Sequence, residues 1–466
     1  MGSSLVAGAS RVELAAPLGL DMMGYGARTE PAAARHDPLF ARALYASDGS
    51  DILIVELDLC LLAPSQADWI RDRIREQTGL PPERILVGCI HTHSAPDVGL
   101  GELLAGREAP PHVKPLLEAG VEAARRAHAG AAPARLGLGR AVAAIGRNRR
   151  CAAGPLDDEV LVARVDREDG APLAVLYVHG CHPTALGHDN LAYSADWPGA
   201  AAREIEAALP GALALFALGA HADVDPRTRG LLDLAVEEQS VGVTFEAMEA
   251  LGRELGRAVA VAAGAIETQP RVPVGAASAR VELPVHGAES GAEAHAQALA
   301  ARRAEAFAAL GLAPDAQVRT GELFRLTQER TRGLDADERR ERIARARLYL
   351  RDRTASRFAG GRAPSVEVQV LRIGDALLLG IPAEPTVDVG IEWKRRAPSP
   401  HAAVISIANG WLRYLPHPRN FDEPLAHQKY EVLMSTFVPD AAERLLDAAT
   451  RLAGDLWSGA KGGNPA

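Results

Sequence analysis

Three observations predict an α/β fold, with a mixed β-sheet core flanked by helices. Apolar runs of strand length alternate with segments of helical periodicity. Turn signals such as Ser47-Asp48-Gly49-Ser50 and Arg167-Glu168-Asp169-Gly170 join neighbouring runs as hairpins. Three of the apolar runs end in histidine-bearing loops, at His91 and His93, at His182 and at His221. Independent core histidines have no reason to recur at the same end of successive strands, so a polar site is expected there.

Taken in order, residues 5 to 60 read as strand-rich. Ser10 to Leu14 alternates, Met23-Gly24-Tyr25-Gly26 is a tight loop, and Asp51 to Leu59 is a central strand. Pro64-Ser65 opens a helix to about Glu76, with Ser65 as N-cap. Ile85 to Ile90 is the next buried strand. In an extended chain, side chains i and i+2 share a side, so His91 and His93 are expected to project together beyond it. Two converging imidazoles suggest a metal site. Residues 111 to 128 are helical, and 135 to 150 read as a strand running into Gly146 to Arg150. Strands over 160–165 and 173–178 form a hairpin that leads into Gly180-Cys181-His182-Pro183-Thr184. A helix follows over 198–209, with Asp196 as its cap. The strand 212–217 then ends at His221-Ala222-Asp223-Val224-Asp225-Pro226. Helices are expected over 240–265, 288–310, 335–355 and 439–457, and strands over 270–285, 366–373, 376–379 and 402–408. The chain reads as a single domain over 1–458, with 286–360 as a helical elaboration. Gly360-Gly361 punctuates it, and 459–466 is a disordered tail.

With 47% hydrophobic and 24% charged residues the chain is long enough for a large core. The net charge of −9 excludes a nucleic-acid-binding balance. Arginine far outnumbers lysine and alanine is abundant, the imprint of a GC-rich bacterial genome rather than of a function. Cys60, Cys89, Cys151 and Cys181 form no Cys-x-x-Cys pair and sit in or beside apolar runs, which predicts free core thiols. The N-terminus has no signal-peptide pattern, and no apolar stretch is long enough to span a bilayer, so a cytoplasmic, soluble protein is expected.

Ordered motifs across nearly the whole chain resemble the neutral (non-lysosomal) ceramidase family. They are Ser10 to Leu14 with Met23 to Gly26, His36-Asp37-Pro38-Leu39, His91-Thr92-His93-Ser94, Asn148-Arg149, His182-Pro183-Thr184, Ala222 to Pro226, Pro382-Ala383-Glu384, Asn409 to Tyr414 and Tyr430-Glu431. The resemblance implies the catalytic domain of a zinc amidase that cleaves a linear amide of an N-acyl substrate, ceramide-like or small and soluble. It places the zinc on His91, His182, Glu384 and Tyr414, with His93, Arg149 and Tyr430 lining the reacting amide and His93 handling protons. His221, Asp223 and Asp225 are expected to form a loop beneath the site, Asp223 orienting a ligand histidine. A site containing Cys89 or Cys181 with the histidines is a lesser alternative.

The chain departs from the family at three points. Asp225 stands where the family has a serine, which argues against a serine acyl-enzyme. Trp411 stands where the family has the first of two tyrosines. The stretch Pro416 to Asn420 lengthens the spacing to Tyr430, with the pocket mouth as its expected place. A secretion signal and a C-terminal β-sandwich are not recognised, which weakens the case for ceramide itself. Competing readings are an acyl-transfer or amide-forming enzyme with the same zinc site, a non-catalytic binding homologue, and a metallo-phosphoesterase using Asp223 and Asp225.

Overall fold

The computed structural model describes residues 4–229, 242–287, 292–318, 320–355 and 363–459. Its main strands are β1 (Val6–Glu13), β2 (Phe40–Ser47), β3 (Asp51–Leu57), β4 (Ile85–Cys89), β5 (Ala132–Val142), β6 (Glu159–Arg167), β7 (Pro172–His179), β8 (Leu213–Leu218), β9 (Val274–Glu282), β10 (Ser365–Ile373), β11 (Ala376–Ile381) and β12 (His401–Ser406). Its longer helices are α1 (Pro64–Thr78), α2 (Val113–Ala129), α3 (Asp196–Ala208), α4 (Phe245–Ala265), α5 (Ala292–Ala309), α6 (Thr320–Thr331), α7 (Ala336–Ala355), α8 (Val387–Arg396) and α9 (Ala441–Gly459).

Among the described residues, β1 to β8 form one sheet in the order β8-β7-β6-β5-β1-β2-β3-β4, and β9 to β12 form a second. Alternating side chains show how the sheets stack. Ala376 and Leu378 of β11 join Leu44, Ile54, Leu86, Leu176 and Leu215 of the larger sheet in one apolar layer. Leu377, Leu379 and Ile381 face the other way, onto Val389 and Trp393 of α8 and Leu445, Leu446 and Ala449 of α9. The outer face of the larger sheet carries α1 to α4, through residues such as Ile70, Leu116, Ile205 and Leu255. The fold is thus helix on sheet on sheet on helix. It keeps the expected mixed sheet with flanking helices and adds a second sheet.

The larger sheet brings its two edges together. Strands β3 and β4 are parallel, as are β7 and β8, but the intervening antiparallel steps leave the two pairs opposed in strand order. Seven strand steps at the usual twist accumulate roughly 140–175°. That rotation re-aligns β8 with β4, and residues of the two strands approach within 8 Å (Cα–Cα). The junction is slight: β1 and β5 share only Val6↔Pro133 and Ala7↔Ala132. The C-terminal ends of β4, β7 and β8 therefore meet.

Asn409 locks the second sheet onto this rim. Its amide and side-chain carbonyl bracket Val87 of β4 (2.7 and 2.9 Å), and its Nδ2 donates to Gln369 of β10 (2.8 Å). Asn409 and its neighbour Ile407 both take left-handed backbone (φ 59 and 53°) to make this turn.

Several local expectations are corrected. Helix α1 begins at Pro64 with Ala63 as N-cap, so Ser65 lies inside the helix. Pro64 is suited to that first position because its missing N–H has no partner there anyway. Cys151 is exposed, while the other three cysteines are buried and all four are free. The segment after Pro416 turns inward as a short 3₁₀ helix, Pro418–Asn420. Asn420 is fully buried, accepts from Thr386 Oγ1 (2.7 Å) and donates to Asp388 (2.9 Å), so these residues brace α8. Within the expected elaboration, α5, α6 and α7 share their own apolar cluster around Phe307, Leu310, Leu323 and Leu350. Ile343 of α7 reaches Leu433 and Tyr430, and the Arg347 guanidinium lies 4.8 Å from the centre of the Tyr430 ring. Gly360, Gly361 and the tail after residue 459 lie outside the described residues. No helix among the described residues is long and apolar enough to cross a membrane.

Candidate metal centre

The loops after β4, β7, β8 and β11 deliver His91, His182, His221 and Glu384 to one buried point. The three imidazole Nε2 atoms lie 3.5, 3.4 and 3.6 Å from the same carboxylate oxygen, Glu384 Oε2. Each residue is at most 3% exposed.

The tautomers follow from the other ring nitrogen. His91 Nδ1 sits 2.7 Å from the Cys60 carbonyl, His182 Nδ1 2.9 Å from the His221 carbonyl, and His221 Nδ1 3.1 Å from the Gly219 carbonyl. A carbonyl oxygen only accepts, so each Nδ1 carries a proton, and in the neutral ring each Nε2 presents its lone pair. Three imidazole Nε2 atoms and a carboxylate oxygen thus face one another, the donor set of a metal ion. His221 Nε2 and Glu384 Oε2 are buried without a hydrogen-bond partner. Burying such groups unpaired is costly unless a cation joins them. Donors about 2.0–2.1 Å from a tetrahedral zinc stand about 3.3–3.4 Å apart, close to the spacing around Glu384 Oε2. The residues fit a metal ion, and the carbonyls behind the imidazoles are the supports such ligands use.

Glu384 is held from its other side. Trp411 Nε1 donates to Glu384 Oε1 at 2.7 Å. Burial opposes the charges on both Glu384 and His91, but their pairing outweighs it: Cys60 and Glu384 raise His91 well above the usual histidine range, and His91 holds the Glu384 carboxyl well below its own. Burial lowers His221 to about 3, so that ring is neutral.

His93 does join His91, but not by strand alternation. Strand β4 stops at Cys89, and His91 itself takes a left-handed backbone (φ 68°). That turn sets the two rings perpendicular, 4.8 Å apart, with Nε2 to Nε2 3.4 Å. His93 is also packed edge-on against Tyr25 (4.7 Å) and over Gly24, where a Cβ would come within 2.3 Å of the ring. Burial, then the imidazoles of His91 and His182, push His93 well below the usual histidine range. It rests neutral, ready to accept a proton, rather than balanced near neutrality.

Arg149 is anchored by two carboxylates. Its Nε donates to Glu431 (2.7 Å) and its Nη1 to Asp225 (3.1 Å), while its Nη2 is buried without a partner. Those two anions outweigh burial and keep it cationic. Its guanidinium carbon lies 6.0 Å from the Tyr414 ring centre and 5.5 Å from that of Tyr430. The two tyrosine rings meet edge to face at 5.4 Å. Tyr414 enters on a two-residue parallel pairing of Glu384–Pro385 with Tyr414–Leu415. Burial, then the charge of Glu384, raise its hydroxyl well above the ordinary phenol range.

The structure thus gathers every expected site residue and adds several. His221 stands inside the cluster rather than beneath it; its signal was the third strand ending in a histidine. Asp223 does not orient a histidine. It accepts from Val387 N (2.8 Å), at the start of α8, and from Asn148 (3.2 Å). Besides Glu384, the acid beside a site histidine is Asp225, 3.6 Å from His182 Nδ1. The cysteine beside the cluster is Cys60, its Sγ 3.6 Å from His91 Nδ1, rather than Cys89 or Cys181. Asp196 is not the expected cap: Ala195 holds that position and Asp196 is the first helical residue, its buried carboxylate accepting from the amides of Ala185, Leu186 and Trp197.

No family model matches the chain. The neutral ceramidase of Mycobacterium tuberculosis (strain ATCC 25618 / H37Rv) is 24% identical over 474 residues, covering 88% of this chain and 70% of that protein. A solved ceramidase complexed with C2 superposes with a TM-score of 0.71 at 17% identity, over 98% of this chain and 76% of the other. The neutral ceramidase from Pseudomonas aeruginosa gives 0.69 at 19% identity, over 98% and 75%. The chain is thus similar in sequence to a neutral ceramidase and shares the fold of the solved ones.

Proposed function

We propose that the chain is a zinc-dependent amidohydrolase that cleaves the linear amide of an N-acyl substrate. The observation that carries this reading is the convergence of His91, His182 and His221 Nε2 on Glu384 Oε2, with the neutral ring of His93 alongside. His91, His182 and Glu384 make a two-histidine, one-carboxylate core for the ion. Zinc supplies Lewis acidity that polarises a carbonyl and acidifies water at neutral pH.

The protein's own groups do the rest. His93 takes a proton from the attacking water and returns it to the leaving amine; its unpartnered Nδ1 leaves the ring free of any other hydrogen-bonded anchor. Arg149, cationic and held by Asp225 and Glu431, offers Nη2 to the charge that develops on the amide oxygen. One such donor is worth roughly 2.7–4 kcal/mol. Tyr430, edge-on to Tyr414, lines the same side. The Asp225 carboxylate is tied to Arg149, so this loop positions a cation and offers no hydroxyl for an acyl-enzyme. The names of the relatives extend the substrate class to ceramide-like lipid amides.

The test is metal analysis of the purified protein together with a screen of N-acyl amides spanning lipid and soluble acyl groups, on wild type and His91→Ala. The reading expects stoichiometric zinc, release of free acid and amine, and loss of both in the variant. Turnover that survives His91→Ala undiminished would sink it.

A further inference from the structure

Resting on the metal reading above, we infer that His221, and not Tyr414, is the fourth protein donor, so that this chain holds its ion with three imidazoles and one carboxylate. His221 is geometrically equivalent to the other two histidines. Its Nε2 stands 3.6 Å from Glu384 Oε2, against 3.5 and 3.4 Å for His91 and His182. The rings lie 5.1 Å from His91 and 4.4 Å from His182, centre to centre. With Nδ1 on the Gly219 carbonyl, Nε2 has only a lone pair to offer, and it is fully buried with no hydrogen-bond partner.

The backbone builds His221 into the same unit. Its carbonyl is the acceptor that orients His182 (2.9 Å), and the next residue, Ala222, donates to Pro385 beside Glu384 (3.0 Å). One loop therefore fixes the second imidazole, supplies the third, and is tied to the carboxylate. A mere structural histidine would need a partner for its second nitrogen, and none is present among the described residues.

Tyr414 is arranged differently. Its ring is packed edge-on against Tyr430 and beside Arg149. Outside the ligand set, its hydroxyl keeps the proton and is available to donate toward the reacting amide with Arg149. A set with one anionic donor also leaves a divalent ion a net positive charge, which favours polarising a neutral carbonyl.

The experiment uses the full chain as wild type, His221→Ala, Tyr414→Phe and Glu384→Gln, stripped of metal and titrated with Zn2+ against a chromophoric chelator. The expectation is that Tyr414→Phe binds within about threefold of wild type while His221→Ala is weaker by more than about a hundredfold, beyond what loss of a supporting partner typically costs. Wild type loaded with Co2+ is examined by NMR for hyperfine-shifted, exchangeable imidazole N–H signals. Three are expected in wild type and in Tyr414→Phe, one for each Nδ1–H. Two signals in wild type, or retention of metal by His221→Ala together with its loss in Tyr414→Phe, would overturn the inference while leaving a metal enzyme. Failure of wild type to bind Zn2+ or Co2+ at all would instead remove the metal reading beneath it. If His221→Ala does not fold, the signal count on wild type decides alone.

Discussion

Trp411 Nε1 donates to Glu384 Oε1 at 2.7 Å, and this single bond turns the other oxygen of Glu384 toward three imidazoles. An indole N–H can only donate, so it fixes the carboxylate without competing for the ion. Trp411→Phe should therefore weaken Zn2+ binding by about 10–100-fold, the usual cost of losing a partner behind a ligand. Competition with a chelator of known affinity measures it. Unchanged affinity would mean that the carboxylate is oriented by other means.

Gly24 should control His93. A side chain there would collide with the ring at 2.3 Å, and the backbone is left-handed (φ 114°). Gly24→Ala should leave the metal content at the wild-type level and cut turnover by about 100-fold, the scale of a 1 Å misplacement of a reacting group. Turnover at wild-type speed would dissociate His93 from the reaction.

Asp225 should matter as the anchor of Arg149. Asp225→Asn weakens one charged hydrogen bond, of a kind worth about 1.5–3 kcal/mol. The variant is expected to be less stable to denaturant and slower, yet to retain measurable hydrolysis. A covalent acyl intermediate trapped on residue 225 of the wild type, seen by mass spectrometry, would contradict this assignment.

His179 gives the fold an acid sensitivity of its own. It is the last residue of β7, buried with no side-chain hydrogen-bond partner for either ring nitrogen, and burial lowers it to about 4. A histidine whose folded value is depressed contributes stability that is present in full above its unfolded value and is lost as pH falls toward its folded value. The window is therefore about pH 6.5 down to 4. Between pH 7 and 5 it should account for about 2 kcal/mol of lost stability, and His179→Leu should abolish that part. Denaturant titrations at both pH values measure it, and an identical pH slope in the variant would refute it.

Chelation should destabilise the protein, because it leaves Glu384 and the three imidazoles buried together without the cation that joins them. At free zinc 1,000 times above Kd the difference should be about 4 kcal/mol. Thermal melting with and without chelator reads it out, and coincident curves would argue that the cluster is stable without a cation.

Much of this was legible in the chain. Strand and helix positions followed from periodicity, as in Ala376 to Ile381, where successive residues alternate between two apolar layers. The recurrence of histidines after three strands located the site, and for His221 it was a better guide than the family resemblance. The stacking of a second sheet was not legible. A strand buried on both faces reads as one apolar run whether a helix or another sheet covers it.

Sequence pattern thus settled which residues end strands and carry lone pairs, since burial, turn chemistry and side-chain type are local properties. It could not tell that the ends of β4 and β8, at opposite edges of one sheet, meet 5.1 Å apart at His91 and His221. Nor could it tell that His91 turns left-handed to meet His93. Those relations come from twist accumulated over many strands and from backbone held by distant partners. Such long-range sums leave no signature in any short stretch of chain.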